Sequence, residues 1–139
     1  GKRTVCGEKM DLSNLTLPVY VYGSREDHIV PINAAYASTQ VLPGKKRFVM
    51  GASGHIAGVI NPPAKGKRSH WIRADGKLPA TLDQWLEGAT EHPGSWWTDW
   101  SGWLKGHAGK QIAAPKGYGK GARFKAIEPA PGRYVKEKA

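Results

Sequence analysis

Cysteine is almost absent from this sequence, where Cys6 is the one thiol among 139 residues. A single cysteine excludes a disulfide within the chain and a cysteine-based zinc site, and it favours a reducing compartment. No run of about 18 apolar residues occurs, so we expect nothing here to span a membrane. The first residues lack an initiator Met and the apolar core of a signal peptide, and the cytoplasm is the expected location.

Acidic residues are also scarce, at 11 against 21 Lys and Arg, for a net charge of +10. Most of the excess lies in residues 105–139, where nine basic and two acidic side chains give +7. This segment is rich in Gly, Pro and Lys, a composition that disfavours regular structure. We therefore expect a folded domain over residues 1–104 and a basic extension over residues 105–139.

A strand and loop pattern fills the first half of the chain. The segments LPVYVYGS, residues 17–24, and RFVMGASG, residues 47–54, each predict a strand. Apolar spacing over residues 32–42 predicts a helix between them. The polar stretches REDH and GASGH follow the two strands. This alternation is typical of an α/β sheet, in which the loops after strand ends carry the chemistry.

Two further helices are predicted in the second half. Residues 81–89 have apolar side chains at helical spacing, and residues 95–104 form a second candidate with Ser95 as a possible cap. Three tryptophans fall close to one face of this second helix: Trp96, Trp100 and Trp103. Tryptophan at helical spacing indicates core or interface more often than a platform for stacking bases.

Asp27 and His55 are the candidate catalytic residues. Each lies in a loop after a predicted strand, and in a parallel sheet those strand ends meet at one edge. A carboxylate that accepts a hydrogen bond from an imidazole fixes its tautomer and stabilises the imidazolium. The order acid then histidine is also that of α/β-hydrolase folds. The alternative is that both side chains bond to nearby backbone and have no catalytic role.

A nucleophile for this pair is not evident in the chain. GASGH resembles the G-x-S-x-G elbow but has His in place of the last glycine, so Ser53 is predicted to be structural. Cys6 precedes the first predicted strand and lacks the strand-to-helix turn that exposes a nucleophile. The nucleophile is therefore expected upstream of Gly1, and this chain alone is expected to be inactive.

Metal and phosphate sites are not predicted. His70, His92 and His107 lack the spacing of metal ligands. GASGHIAG lacks the closing Lys and Ser or Thr of a phosphate loop. His28, beside Asp27, is expected to pack or bond locally, because adjacent side chains of an extended loop point in different directions.

Four segments carry a resemblance to a known family: YGSREDHIVP, RFVMGASGHIAGVINPPAKGKRSHW, WLEGATEHPGSWWTDW and IEPAPGRYVKEKA. In this order they resemble the C-terminal part of class I poly(3-hydroxyalkanoate) synthases, over essentially the whole chain. The resemblance implies the C-terminal portion of an α/β-hydrolase fold, a mostly parallel sheet with flanking helices that is incomplete without upstream sequence. It implies that Asp27 and His55 serve a cysteine in a G-x-C-x-G motif, which this chain lacks, whereas Cys6 matches a position near the end of the cap region.

The activity implied is an acyltransferase that polymerises (R)-3-hydroxyacyl-CoA, such as 3-hydroxybutyryl-CoA, with release of CoA. The CoA thioester is the substrate, and no cofactor is implied. The implied partners are the growing polyester, the upstream part of the same protein, a polyester granule surface and a second copy in a homodimer. The alternative is a basic, non-enzymatic module that contacts a granule surface or nucleic acid, of which nucleic acid is the less favoured partner.

Overall fold

The computed structural model describes residues 2–138. It contains two compact units, of which the first ends at His107 and the second begins at Ala108. The strands of the first unit are β1 (Arg3–Val5), β2 (Glu8–Met10), β3 (Val19–Ser24), β4 (Lys46–Gly51), β5 (Ser69–Ile72) and β6 (Thr90–Pro93). Its helices are α1 (Ile32–Val41), α2 (Leu82–Glu87) and α3 (Trp97–Lys105). The second unit contains β7 (Gly119–Lys120), β8 (Phe124–Lys125) and a 3-10 turn (Tyr134–Lys136).

A mixed four-stranded sheet in the order β3-β4-β5-β6 lies at the centre of the first unit. β3 and β4 are parallel and joined by α1, as a crossover between parallel strands requires. β4 pairs antiparallel with β5, and β5 pairs antiparallel with β6. Over the described residues the expected mostly parallel sheet is therefore a mixed one. The connection over residues 52–68 contains a 3-10 turn and no α-helix, so β5 returns directly along the edge of β4.

The predicted strands and helices of the first unit are present in the structure, with ends shifted by a few residues. β5 and β6 were not anticipated by the hydrophobic pattern, because they are four residues long and carry Ser69, His70, Glu91 and His92 in place of alternating apolar residues. Their pairing depends on contact with β4 across the chain. Local sequence therefore contains little signal for them.

One face of the sheet holds the apolar core. Phe48 and Met50 of β4 pack against Tyr36 of α1 and against Leu82 and Trp85 of α2. The ring of Phe48 lies edge-on to Tyr36 at 4.9 Å and to Trp85 at 4.8 Å between centroids. Such edge-to-face pairs stabilise a core beyond their buried area. The core thus joins both helices to the strand that leads into the GASGH loop.

The opposite face of the sheet is covered by α3. Side chains alternate along a strand, so Tyr20 and Tyr22 of β3 lie on this face. Trp96, just before α3, stacks on Tyr22 at 4.2 Å between ring centroids. Asp99 of α3 accepts hydrogen bonds from Tyr20 Oη at 2.9 Å and from Arg47 Nε at 2.8 Å. Burial, followed by the charge of Asp99, raises the pKa of Tyr20, so its hydroxyl remains a donor.

Trp85→Ala should lower the free energy of unfolding by about 3–5 kcal/mol, because it removes a large core side chain and leaves a cavity. Trp85 is 1% exposed. Denaturant unfolding of the full-length protein measures the effect. Trp100→Ala is the matched control. Trp100 is 37% exposed, so its removal should lower the free energy of unfolding clearly less. Equal losses from the two substitutions would contradict this assignment of the core.

Candidate active site

The loops after β3 and β4 begin at the same edge of the sheet. The parallel register places Ser24 opposite Gly51, so both strands end at one level. Two backbone hydrogen bonds extend the pairing into the loops, from Arg25 N to Gly51 O at 2.8 Å and from Glu26 N to Ser53 O at 3.0 Å. The loops therefore run side by side for two residues beyond the sheet.

This arrangement brings Asp27 and His55 into contact. Asp27 Oδ2 lies 2.8 Å from His55 Nδ1. Asp27 Oδ1 accepts hydrogen bonds from Ile29 N and Val30 N, both at 2.9 Å. The Asp27 side chain is 9% exposed, whereas that of His55 is 41% exposed. Asp27 thus makes both contacts that the sequence left as alternatives, one to nearby backbone and one to the imidazole.

The environment of Asp27 keeps its carboxyl group ionised. The hydrogen bond from Val30 N lowers the pKa of Asp27 to about 2, helped by His55 and the amide of Ile29, although burial acts in the opposite direction. A carboxylate can only accept hydrogen bonds, so Nδ1 of a neutral His55 carries the proton. Nε2 then holds the lone pair, which is the arrangement required of a general base.

The backbone around His55 forms a tight turn. Gly58 N donates to Gly54 O, and Ile60 N donates to Ile56 O, both at 2.9 Å. This helical turn presents His55 on the side of the loop that faces Asp27. The sequence indicated a loop here, and the turn within it is a product of these hydrogen bonds.

Two indole groups hold the far end of the turn. Trp96 Nε1 and Trp97 Nε1 donate to the same carbonyl, Val59 O, at 3.2 and 2.9 Å. The sequence predicted Trp96 close to one face of a helix and Trp97 to its side, and it gave no indication of this contact. The partners are 37 and 38 residues apart, and no local pattern connects them.

The other candidates lie elsewhere or make different contacts. Ser53 has a left-handed backbone, with φ of 74°, and its carbonyl accepts the hydrogen bond from Glu26 N. Cys6 is exposed in the turn between β1 and β2. Within residues 2–138, no hydrogen bond joins Cys6 to His55. His28 is exposed beside Asp27.

The remaining histidines have separate environments. His70 is buried, with Nδ1 at 3.1 Å from Gly94 O, and its ring stacks on His92 at 5.6 Å between centroids. His107 packs against Trp103 at 4.5 Å. In the part of the chain that the structure describes, no group of three His, Cys, Asp or Glu side chains is arranged to bind a metal ion.

The chain is similar in sequence to proteins of known name. No family model matches the chain. The chain is 66% identical over 139 residues to "Poly(3-hydroxyalkanoate) polymerase subunit PhaC" of Cupriavidus necator, covering 100% of this chain and 23% of that protein. It is 42% identical over 132 residues to the protein of the same name from Rhizobium etli, covering 95% of this chain and 20% of that protein. Over its whole length, the chain is therefore similar to a part of the poly(3-hydroxyalkanoate) polymerases.

The resemblance inferred from the four segments is thereby confirmed. Another relative, "Poly(3-hydroxyalkanoate) polymerase 1" of Ectopseudomonas oleovorans, is 38% identical over 134 residues, covering 96% of this chain and 23% of that protein. The chain therefore spans less than a quarter of the length of the relatives it matches. The catalytic roles of Asp27 and His55 stay predictions.

Asp27→Asn should lower the free energy of unfolding more at about pH 6 than at about pH 3. The pKa of Asp27 is lowered from 3.8 to about 2 in the folded protein. The carboxylate therefore stabilises the fold above pH 3.8, and this contribution is lost as the pH falls towards 2. Urea unfolding of the full-length protein at the two pH values measures the difference.

Glu26→Gln is the control for this experiment, because Glu26 is the adjacent carboxylate and its side chain is 60% exposed. It should have little effect at either pH. An Asp27→Asn loss that is equally large at both values would mean that the carboxylate charge does not stabilise the fold.

Proposed function

We propose that the full-length protein is an acyltransferase with an α/β-hydrolase fold, which polymerises (R)-3-hydroxyacyl-CoA into polyhydroxyalkanoate and releases CoA. The observation that carries the proposal is the contact of 2.8 Å between His55 Nδ1 and Asp27 Oδ2 at the ends of two parallel strands. The names of the relatives support the same reaction class. In this proposal His55 is the general base and Asp27 orients it.

The first step requires a cysteine outside this chain. Its thiol proton passes to His55 Nε2, and the thiolate attacks the carbonyl carbon of the CoA thioester. The carbon–sulfur bond to CoA breaks, and the CoA sulfur leaves with the proton returned by the imidazolium. Asp27 stabilises the charged ring during this transfer because its own carboxylate remains ionised.

Chain growth uses the same base on a different proton. His55 accepts the proton of a 3-hydroxyl group, and the hydroxyl oxygen attacks an acylated cysteine to form the ester bond. The cysteine thiolate then leaves and takes the proton from His55. One base thus serves both the loading step and the elongation step.

An apolar rim next to the pair suits this reaction. The term apolar rim denotes the exposed aliphatic side chains that follow Asp27 and His55 in their loops: Ile29, Val30, Ile56 and Ile60. Exclusion of water matters here, because water that attacked the acylated cysteine would end the chain by hydrolysis. The rim is chemically matched to a hydroxyacyl chain and is poorly suited to holding water.

His55→Ala in the full-length protein should reduce the rate of CoA release from 3-hydroxybutyryl-CoA by at least about 10²-fold, the typical effect of removing a general base. Asp27→Asn should also reduce this rate strongly, because an amide favours the wrong imidazole tautomer. A continuous thiol assay measures both.

The matched controls are His107→Ala, a histidine outside the proposed site, and Glu26→Gln, the exposed carboxylate next to Asp27. Both should retain the rate of the unmodified protein. Unchanged CoA release in His55→Ala, with the substitution verified, would exclude His55 as the base.

We also propose that the second unit contacts the surface of a polyester granule. Four of its large apolar side chains are at least 85% exposed: Ile112, Tyr118, Ile127 and Tyr134. Basic residues are interspersed among them, with Lys116 two residues before Tyr118 and Lys120 two residues after it. Apolar side chains suit a polyester surface, and the lysines suit anionic groups at its boundary. Within residues 2–138, no helix is long and apolar enough to cross a membrane.

Replacing Ile112 and Ile127 with Ser in the full-length protein should reduce its sedimentation with purified granules at moderate salt. Lys116→Gln with Lys120→Gln tests the contribution of charge and should reduce sedimentation less than the apolar substitutions do. Loss of sedimentation in the lysine variant alone, with strong salt dependence, would favour the alternative of a polyanion-binding module.

The remaining expectations stay predictions. These are a homodimer, a cytoplasmic and granule-associated location, the absence of a cofactor, and the division of the chain at residues 104 and 105. The nucleophile upstream of Gly1 and the inactivity of this chain alone belong to the same group.

A further inference from the structure

Two hydroxyl groups that the proposed mechanism does not use lie beneath the His55 loop, one on a buried residue and one on a half-buried residue. Tyr22 and Ser24 are two residues apart on β3, and therefore on the same face of the sheet. Tyr22 Oη lies 3.0 Å from Ser24 Oγ. Ser24 is 2% exposed, so its hydroxyl depends on Tyr22 Oη for a hydrogen bond. Burial raises the pKa of Tyr22, which keeps its hydroxyl neutral.

The two side chains lie against a glycine at the end of β4 and a glycine in the loop that follows it. A methyl group on Gly51 would overlap with Tyr22 Oη and lie 2.7 Å from two of its ring carbons. A methyl group on Gly58 would overlap with Ser24 Oγ, and it would lie 2.7 Å from Ala52 O and 2.8 Å from Gly54 O. The pair thus touches the loop where it leaves β4 and again where the turn closes, on either side of His55.

Trp96 holds this arrangement from the other side. Its ring stacks on Tyr22 with an interplanar angle of 28°, and its indole N–H donates to Val59 O in the residue after Gly58. The tyrosine ring is therefore confined between Trp96 and the backbone at Gly51. Movement of Tyr22 would shift Ser24 and Gly58 together.

We propose that the Tyr22–Ser24 hydroxyl pair positions His55, by setting the height of the turn over residues 54–58 above β3 and so the alignment of Nδ1 with Asp27. The inference rests on the proposed function for its kinetic consequence. Tyr22 and Ser24 are positioning residues in this role, because within residues 2–138 their side-chain hydroxyls hydrogen-bond to each other and His55 Nδ1 bonds to Asp27.

In the full-length protein, Ser24→Ala should reduce kcat about tenfold and Gly58→Ala about 10²-fold, since misplacement of a catalytic group by about 1 Å has effects of that order. KM should change little, because the apolar rim is not altered. Gly54→Ala is the matched control in the same turn. A methyl group there has its nearest contact at 3.5 Å, an ordinary van der Waals distance.

A spectroscopic readout separates positioning from general destabilisation. The proton on His55 Nδ1, shared with Asp27, should give a downfield proton resonance in the unmodified protein and lose it in His55→Ala. Ser24→Ala and Tyr22→Phe, which keep the packing volume, should shift or broaden this resonance under conditions where near-ultraviolet circular dichroism shows a folded protein. Gly54→Ala should leave it unchanged.

The two readouts also separate this inference from the proposed function. If the unmodified protein releases no CoA but the resonance responds to Ser24→Ala and Tyr22→Phe, the positioning role holds and the reaction assignment fails. If both variants keep the resonance and kcat and only lower the melting temperature, the hydroxyl pair is structural and the inference is overturned.

Discussion

The parallel pairing of β3 with β4 is the constraint on which the candidate site depends. It ends both strands at one level, with Ser24 opposite Gly51. The two following loops then remain hydrogen-bonded to each other. A shift of the register by one residue would reverse the faces of every side chain on β3 and move Asp27 by about 3.3 Å along the strand. A contact of 2.8 Å between two side chains does not survive such a shift.

The register is itself held from both faces of the sheet. On one face, Phe48 and Met50 of β4 are fixed among α1 and α2. On the other, Tyr20 of β3 and Arg47 of β4 both donate to Asp99 of α3. A single carboxylate thus bridges the two parallel strands. The core supplies most of the burial, while the polar bridge specifies how the strands align.

Asp27 and His55 differ in the exposure of their side chains. Asp27 is enclosed and bound to two amides and one imidazole, which fixes both its charge and its direction. The side chain of His55 is 41% exposed, which suits the proton exchange with a reactant that is proposed for it. The aliphatic side chains of the apolar rim lie in the same two loops. An ionised carboxylate, an oriented imidazole and an apolar border therefore follow from two adjacent loops.

The sequence by itself determined the local elements and the identity of the candidate residues. Strand, loop and helix signals around residues 17–55 were strong because apolar spacing and turn residues act over a few positions. The placement of Asp27 and His55 after two strands joined by one helix followed from that order. The tertiary structure alone decided the mixed character of the sheet, since β5 and β6 pair through neighbours distant in the chain. It also decided the contacts of Trp96 with Tyr22 and Val59, because packing between segments more than 35 residues apart leaves no periodic trace in the sequence.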